Sequence, residues 1–227
     1  MQLHHIIESI QSTSIPILDT EICAKSYVPI DLSTSNTELK NLDITRPEVC
    51  QRYIDTVLLR TNGKVAFGGY LEHRNLYSDK SNFGSSGDAV RNIHLGIDFW
   101  CEAGTKVLVP LEGKVHSFQN NVAIGDYGPT IILEHTYNRI SFYSLYGHLS
   151  VESLNGLFKG KVFRQGDFLA TLGTVDINVN YAPHLHFQII RDIQDKTGDY
   201  PGVCTSNTLE FYSQNCPNPN LLLKLKT

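Results

Sequence analysis

The 227-residue chain has no strong excess of charge: the formal net charge is -4 and the pI is near 6.1. It contains no run of lysine and arginine able to track a phosphate backbone, so no nucleic acid partner is expected. Long hydrophobic runs are also missing. No stretch approaches the roughly 18 consecutive apolar residues of a membrane helix, and no membrane span is expected. The opening MQLHHIIESIQSTS lacks a basic segment followed by an apolar one, so the chain as written reads as unexported and cytoplasmic. Cysteine is sparse. Cys23, Cys50, Cys101, Cys204 and Cys216 are odd in number, widely spaced and form no C-x-x-C pair, which argues against a disulfide scaffold or a thiolate metal site. Reduced, mostly buried thiols are expected, with a Cys204 to Cys216 bridge as the alternative.

Internal repeats and low-complexity segments are absent too, and the length suits one domain with extensions or two small ones. The first sixty residues are mixed. The spacing predicts a short helix near His5 to Gln11 and a second over PEVCQRYIDTVLLR, where Pro47 opens the segment and Val49, Tyr53, Val57 and Leu58 recur three to four apart. Gly63 and the Gly68-Gly69 pair close that helix. Between Tyr77 and Asn92 the stretch SDKSNFGSSGDAV has the composition of a loop and suits the rim of a site. From His94 to Ile190 the texture changes to short alternating segments separated by turn residues, the pattern of an antiparallel β architecture. The chain is therefore expected to divide into a partly helical N-terminal extension (1–67), a connecting loop region (68–93), a β core (94–190) and a C-terminal tail (191–227) packing back on the core through its LLLKL end.

Nine histidines mean little until their positions are considered. In HLGIDF the strand period of two puts His94, Gly96 and Asp98 on one face and Leu95, Ile97 and Phe99 on the other. In HLHFQII it groups His184, His186 and Gln188 opposite Leu185, Phe187 and Ile189. In SLYGHLS it groups Ser144, Tyr146 and His148 opposite Leu145, Gly147 and Leu149. Strands that bury one apolar face and offer His and Asp from the other can converge on a single cation, and His with carboxylate suits Zn²⁺. Four residues of ideal strand span about 13 Å, too far for two side chains to share a metal, so the chain must bend between His94 and Asp98. Gly96 stands at the midpoint, where a missing side chain best permits a kink. The alternative is that these are separate solvent-facing histidines. That reading holds for His4, His5, His73, His116 and His135, which show no such pairing.

In order, the elements HLGIDF, GTKVLVPLEGKV, YGHLS, RQGDFLATLG and HLHF resemble the lysostaphin-type (LytM-type) zinc metallo-endopeptidases, the peptidoglycan hydrolases, over about His94 to Ile190. The resemblance implies a mainly β fold: an antiparallel β-sheet groove of the duplicated hybrid motif type, here with a small mixed N-terminal extension. It implies one Zn²⁺ per chain held by His94, Asp98 and His186, with His148 and His184 catalytic. It also implies cleavage of peptide bonds in peptidoglycan cross-links or stem peptides, and a location in the cell envelope. The flanks GGYLEHRNLY, DYPGV and CPNPNLLL also resemble a metallopeptidase-like domain found beside kinase-like and aminotransferase domains, which implies an intracellular zinc amidohydrolase with a non-peptidoglycan substrate. A further alternative is a non-catalytic binding or regulatory module of the same fold.

A ligand set of two neutral histidines and one carboxylate leaves a fourth position open on the metal, as catalytic rather than structural zinc requires. The H-E-x-x-H glutamate of other zinc peptidases is absent. Proton transfer therefore falls to His148 and His184, in roles the sequence leaves interchangeable. Tyr146 is placed either in the site as a further hydrogen-bonding group or in packing.

Overall fold

The computed structural model describes residues 3–10, 14–79, 90–178 and 180–226. Gln11 and most of the Ser- and Gly-rich stretch, residues 80–89, lie outside the described residues. Helix α1 (Leu3–Ile10) buries Leu3, Ile6 and Ile7 along one face. Helix α2 (Pro47–Thr61) has proline in its first turn, where no backbone N–H is needed. Its buried stripe is Cys50, Tyr53, Ile54 and Val57; Tyr53 and Val57 face inward as the spacing predicts, while Val49 and Leu58 are only half-buried. Asn62, left-handed at φ 53°, ends the helix by donating its N–H to Leu58 and Leu59 carbonyls.

The strands are β1 (Tyr27–Pro29), β2 (Val65–Gly68), β3 (Ile93–His94), β4 (Ile97–Trp100), β5 (Lys106–Leu108), β6 (Gly113–Asn121), β7 (Gly128–Tyr137), β8 (Ile140–Gly147), β9 (Val162–Phe163), β10 (Phe168–Thr171), β11 (His184–Ile190) and β12 (Val203–Cys204). Eight of them form one sheet in the order β1-β2-β4-β11-β8-β7-β6-β9. Only the β1–β2 pair is parallel; the other pairs are antiparallel. The fold is mainly β, as the segment pattern predicts. Two ribbons complete it, β10 with β5 and β12 with β3. Helices α3 (Leu209–Asn215) and α4 (Asn220–Leu223) follow.

One face of the sheet carries the main core. Phe67, Ile97, Phe99, Leu133, Tyr146, Leu185, Phe187 and Ile189 meet there with Val107 and Ala170 of the ribbon, Ile7 of α1, and Leu222 and Leu223 of α4. Alternate residues of the same strands face the other way. Ala66 and Trp100 pack with α2 in a second cluster, while Ile132, Leu145 and Ile190 pack with Cys204 and Cys216 in a third. Every residue of β11 is buried, because both faces of this central strand are covered. All five cysteines are free thiols.

His135 belongs to this framework. Its Nδ1–H donates to the Glu112 carbonyl at 2.8 Å, and Nε2 lies 2.6 Å from Ser144 Oγ. Burial holds its pKa down to about 4 against an ordinary value of 6.5. The folded state thus keeps a neutral imidazole that the unfolded chain would protonate. The corresponding stability is complete above pH 6.5 and is lost as pH falls towards 4, by up to about 3 kcal/mol at roughly 1.4 kcal/mol per unit. In His135→Gln, the loss of denaturant stability between pH 7.5 and pH 4.5 is expected to be smaller than in the parent chain. Identical pH dependence in the two proteins would contradict this account.

Candidate metal centre

Strand register builds the site. β11 runs antiparallel to β4 with His184 opposite Trp100 and His186 opposite Asp98, so the Asp98 and His186 side chains leave the sheet as neighbours on one face. His94 reaches the same point because the chain breaks between β3 and β4 at Leu95 and Gly96. The bend that the sequence requires between His94 and Asp98 is present. A Cβ on Gly96 would lie 2.7 Å from the Phe187 carbonyl oxygen and 2.8 Å from His186 Cε1, so the His186 ring occupies the space a side chain would need.

The three side chains form a tight triangle. Nε2 of His94 lies 2.9 Å from Nδ1 of His186 and 3.2 Å from Oδ1 of Asp98. Nδ1 of His186 lies 3.1 Å from the same carboxylate oxygen. The other ring nitrogens decide where the protons are. Nδ1 of His94 is 2.9 Å from the Gly69 carbonyl oxygen, which only accepts, so that nitrogen carries the hydrogen and Nε2 is bare. Gln188 donates its amide to the Pro201 carbonyl at 3.1 Å. That contact turns its Oε1 towards Nε2 of His186 at 2.9 Å, so Nε2 carries the proton and Nδ1 is bare. Two lone pairs and a carboxylate oxygen thus converge with no hydrogen between them. In neutral rings such an arrangement is repulsive, and a cation at the centre satisfies all three. Among the described residues, His94, Asp98 and His186 are the group of this kind able to hold a metal ion. Two imidazoles and one carboxylate fit Zn²⁺.

Around the triangle the charges are paired. Arg74, 1% exposed, donates Nη1 to Asp98 Oδ2 and Nε to Glu72 Oε2, both at 2.5 Å. Oδ2 is thereby engaged away from the triangle and Oδ1 is left to face it. Burial alone would push the Asp98 carboxyl up, but His94 and Arg74 beside it hold it well below the usual carboxylate range. Burial, reinforced by Arg74, lowers His94 to about 4. Asp98 is therefore a carboxylate and His94 a neutral ring across the neutral pH range, the state in which such groups can bind a metal.

His184 and His148 stand beside this group. His184 stacks on Trp100 with centroids 4.0 Å apart and donates Nδ1–H to the Ala182 carbonyl at 2.8 Å. Its Nε2 is therefore bare and lies 3.9 Å from Asp98 Oδ1. The His148 ring is 4.1 Å from that of His184. Its Nδ1 is buried with no hydrogen-bond partner. Burial lowers His184 to about 4 and His148 well below its ordinary value.

Strand alternation does not explain the position of His148. The pairing of Phe187 with Tyr146 and of His186 with Gly147 puts Tyr146 and Ser144 on the core face, away from the triangle. Tyr146 is fully buried in the main core, with its hydroxyl 3.2 Å from Ser144 Oγ. It takes the packing role and not the site role. His148 enters the site because the strand ends at Gly147 and His148 adopts a left-handed backbone at φ 62°, which turns its side chain to the other face. Its own N–H and C=O are fixed by the Tyr127 carbonyl and the Gly173 N–H.

A cavity of about 280 Å³ opens onto His94, Asp98, His148, His184 and His186. Its walls include Tyr127 and Tyr181, with Arg91, Asp126 and Asp199 also on its lining. Tyr127 lies against both the His186 and His148 rings, at 5.0 and 5.7 Å. Strand alternation in the sequence points to none of these residues, nor to Arg74. Tyr127 follows a turn and Arg74 stands 24 positions before its partner Asp98, so neither lies on an alternating strand that could have pointed to it. His4, His5, His73 and His116 are not part of the cluster, and His135 is held elsewhere in the framework.

A buried His-Asp-His triangle on an antiparallel sheet, with two further histidines beside it, has the donor set of a mononuclear metal site with room for a further ligand. Residues 92–198 match the model of peptidase family M23. Comparison with curated proteins finds no match. Among solved structures, the chain is similar to a zinc-containing peptidase from Vibrio cholerae at 26% identity and a TM-score of 0.34, covering 43% of this chain and 27% of that one. It is similar to the catalytic domain of the antimicrobial peptidase lysostaphin from Staphylococcus simulans at 22% identity and a TM-score of 0.36, covering 54% and 80%. A variant of the catalytic domain of EnpA, a prophage-encoded M23 protein from Enterococcus faecalis, gives 23% identity and a TM-score of 0.37, covering 52% and 83%. The chain thus spans about a quarter of the length of the Vibrio protein. Among the described residues no helix is long and apolar enough to cross a membrane.

The contact at Gly96 makes a sharp prediction. Gly96→Ala should force the His186 ring or the β11 backbone to move, at a cost of about 1 to 3 kcal/mol, and should weaken zinc binding at the same time. Thermal unfolding of the metal-free chain and a zinc titration measure the two effects. A variant with parental stability and affinity would mean that the close approach is not a constraint.

Proposed function

We propose that the chain is a zinc-dependent endopeptidase, a hydrolase of peptide bonds whose substrates are bacterial peptidoglycan cross-links or stem peptides. The observation that carries this reading is the convergence of three bare donor atoms, from His94, Asp98 and His186, within 2.9 to 3.2 Å of one another in a segment that matches peptidase family M23. In this reading the catalytic core is residues 94–190, and His94 Nε2, Asp98 Oδ1 and His186 Nδ1 hold one Zn²⁺. When bound, the metal supplies an acidified water and polarises the scissile carbonyl.

The two remaining histidines divide the proton chemistry. His184, with its Nδ1–H held by the Ala182 carbonyl, offers a bare Nε2 and takes the proton from the attacking water as general base. His148 has no acceptor for a proton on its buried Nδ1. An orphaned buried N–H is rarer than an under-used acceptor, so its proton sits on Nε2, from which it donates to the carbonyl oxygen as charge develops there. Tyr127 and Tyr181 wall the cavity, and burial raises both phenols well above their ordinary value, so they remain neutral.

Zinc analysis and a digest read by mass spectrometry test the proposal. His186→Ala and Asp98→Ala should lose the metal. His148→Ala and His184→Ala should retain it and lose hydrolysis by about 10²-fold or more. Purified peptidoglycan should release peptide fragments, and chelation should stop the reaction until Zn²⁺ is restored. Metal with no turnover on peptidoglycan or simple peptides would favour a binding module. Turnover on simple amides alone would move the substrate outside the cell wall.

A further inference from the structure

The metal-facing nitrogen of His186 is Nδ1, and what keeps it bare is one side chain two residues further along the same strand. We propose that Gln188 is a positioning residue that fixes the proton of His186 on Nε2, and that the C-terminal segment carrying Pro201 and Cys216 sets Gln188 in turn.

One acceptor-only group sets the direction of the hydrogen bonds around Gln188. The Pro201 carbonyl only accepts, and it lies 3.1 Å from Gln188 Nε2. The same amide nitrogen reaches Cys216 Sγ at 3.3 Å. The carbonyl requires the NH₂ end of the amide, whereas the free thiol can donate or accept and so fits either end; Oε1 is thereby left on the other side, 2.9 Å from His186 Nε2. A flipped amide would bring Oε1 against the carbonyl oxygen of Pro201. Gln188 is fully buried, so water offers neither group a substitute. Tyr127 OH also approaches His186 Nε2, but at 3.5 Å, and a hydroxyl can donate as well as accept and therefore does not decide the tautomer.

The segment that holds Gln188 is itself anchored. Val203 pairs with His94 across the β12–β3 ribbon, Leu95 N–H donates to the Gly202 carbonyl at 2.9 Å, and Tyr70 OH donates to the Cys216 carbonyl at 2.8 Å. Residues well beyond the last ligand therefore control which nitrogen that ligand offers. Outer partners of metal-binding histidines commonly contribute about 10- to 100-fold in affinity by this means.

The inference uses the zinc reading only in its second test. In the metal-free full chain labelled with ¹⁵N histidine, long-range ¹H–¹⁵N correlation should find the His186 proton on Nε2. In Gln188→Met, which keeps the side-chain volume and removes both amide functions, the two tautomers should mix. Competition with a chromophoric chelator should give Zn²⁺ affinity about 10- to 100-fold lower in Gln188→Met than in the parent. A proton on Nδ1 of His186 in the parent chain overturns the proposal, as does a Gln188→Met protein with the parental tautomer and affinity. If Gln188→Met fails to fold, the parental spectrum alone decides. A parent that binds no zinc refutes the peptidase reading instead, and the tautomer measurement still stands.

Discussion

The pairing of β11 with β4 is the constraint on which the rest depends. Because His186 stands directly opposite Asp98, a one-residue slip would send the donor atoms of one strand to the core face. The apolar partners hold the register. Phe99, Leu185, Ile97 and Phe187 all enter the same core, and a slip would turn them to the polar face while placing histidine and aspartate in the apolar core. Several large apolar side chains at roughly 1.5 to 3 kcal/mol each therefore fix the positions of the polar ones. The site is precise because the core beneath it is specific.

A cluster this deeply buried also needs its charges balanced. Asp98 is 2% exposed and Arg74 1%, and a buried ion left without its partner costs about 3 to 5 kcal/mol. Arg74 is shared between Asp98 and Glu72, and Glu72 also accepts from the Leu32 N–H. The group of two carboxylates and one guanidinium retains one negative charge beside the imidazole rings. That residual charge favours a cation at the triangle. The segments that provide it, around Glu72 and Leu32, lie before the family-matched residues 92–198 and so belong physically to the site although they are remote from it in sequence.

Much of this was legible in the sequence. Alternation in HLGIDF and HLHFQII sorts Ile97, Phe99, Leu185, Phe187 and Ile189 to one face, though Leu95, before the bend, packs in the third cluster, and spacing alone demands the bend that Gly96 allows. The helix at Pro47 is equally plain, because a proline start and a three-to-four spacing are local signals. What alternation could not supply was the behaviour of a chain at the point where a strand stops. SLYGHLS reads as one continuous strand, yet the period of two holds only while successive residues keep extended dihedrals. His148 leaves that region at φ 62°, and a single left-handed residue reverses the side to which its side chain points. Tyr146 and His148, which alternation groups together, end on opposite faces.

The residues that the sequence did not reveal share a physical character. Arg74 and Tyr127 do not converge on the triangle themselves; they govern the atoms that do, through a bond to Asp98 Oδ2 and through ring contacts with His148 and His186. Such roles depend on distances across the fold and leave no period in the chain. Glycine gives the nearest thing to a trace. A Cβ on Gly202 would fall 1.9 Å from the Tyr127 hydroxyl, and one on Gly147 would fall 2.7 Å from its ring, so Tyr127 can lie against the histidines only because two separate segments present bare backbone to it. The glycines in GHLS, PGV and HLGIDF are thus spatial neighbours of one site. Each marks a place where another element must approach the backbone more closely than a side chain would permit.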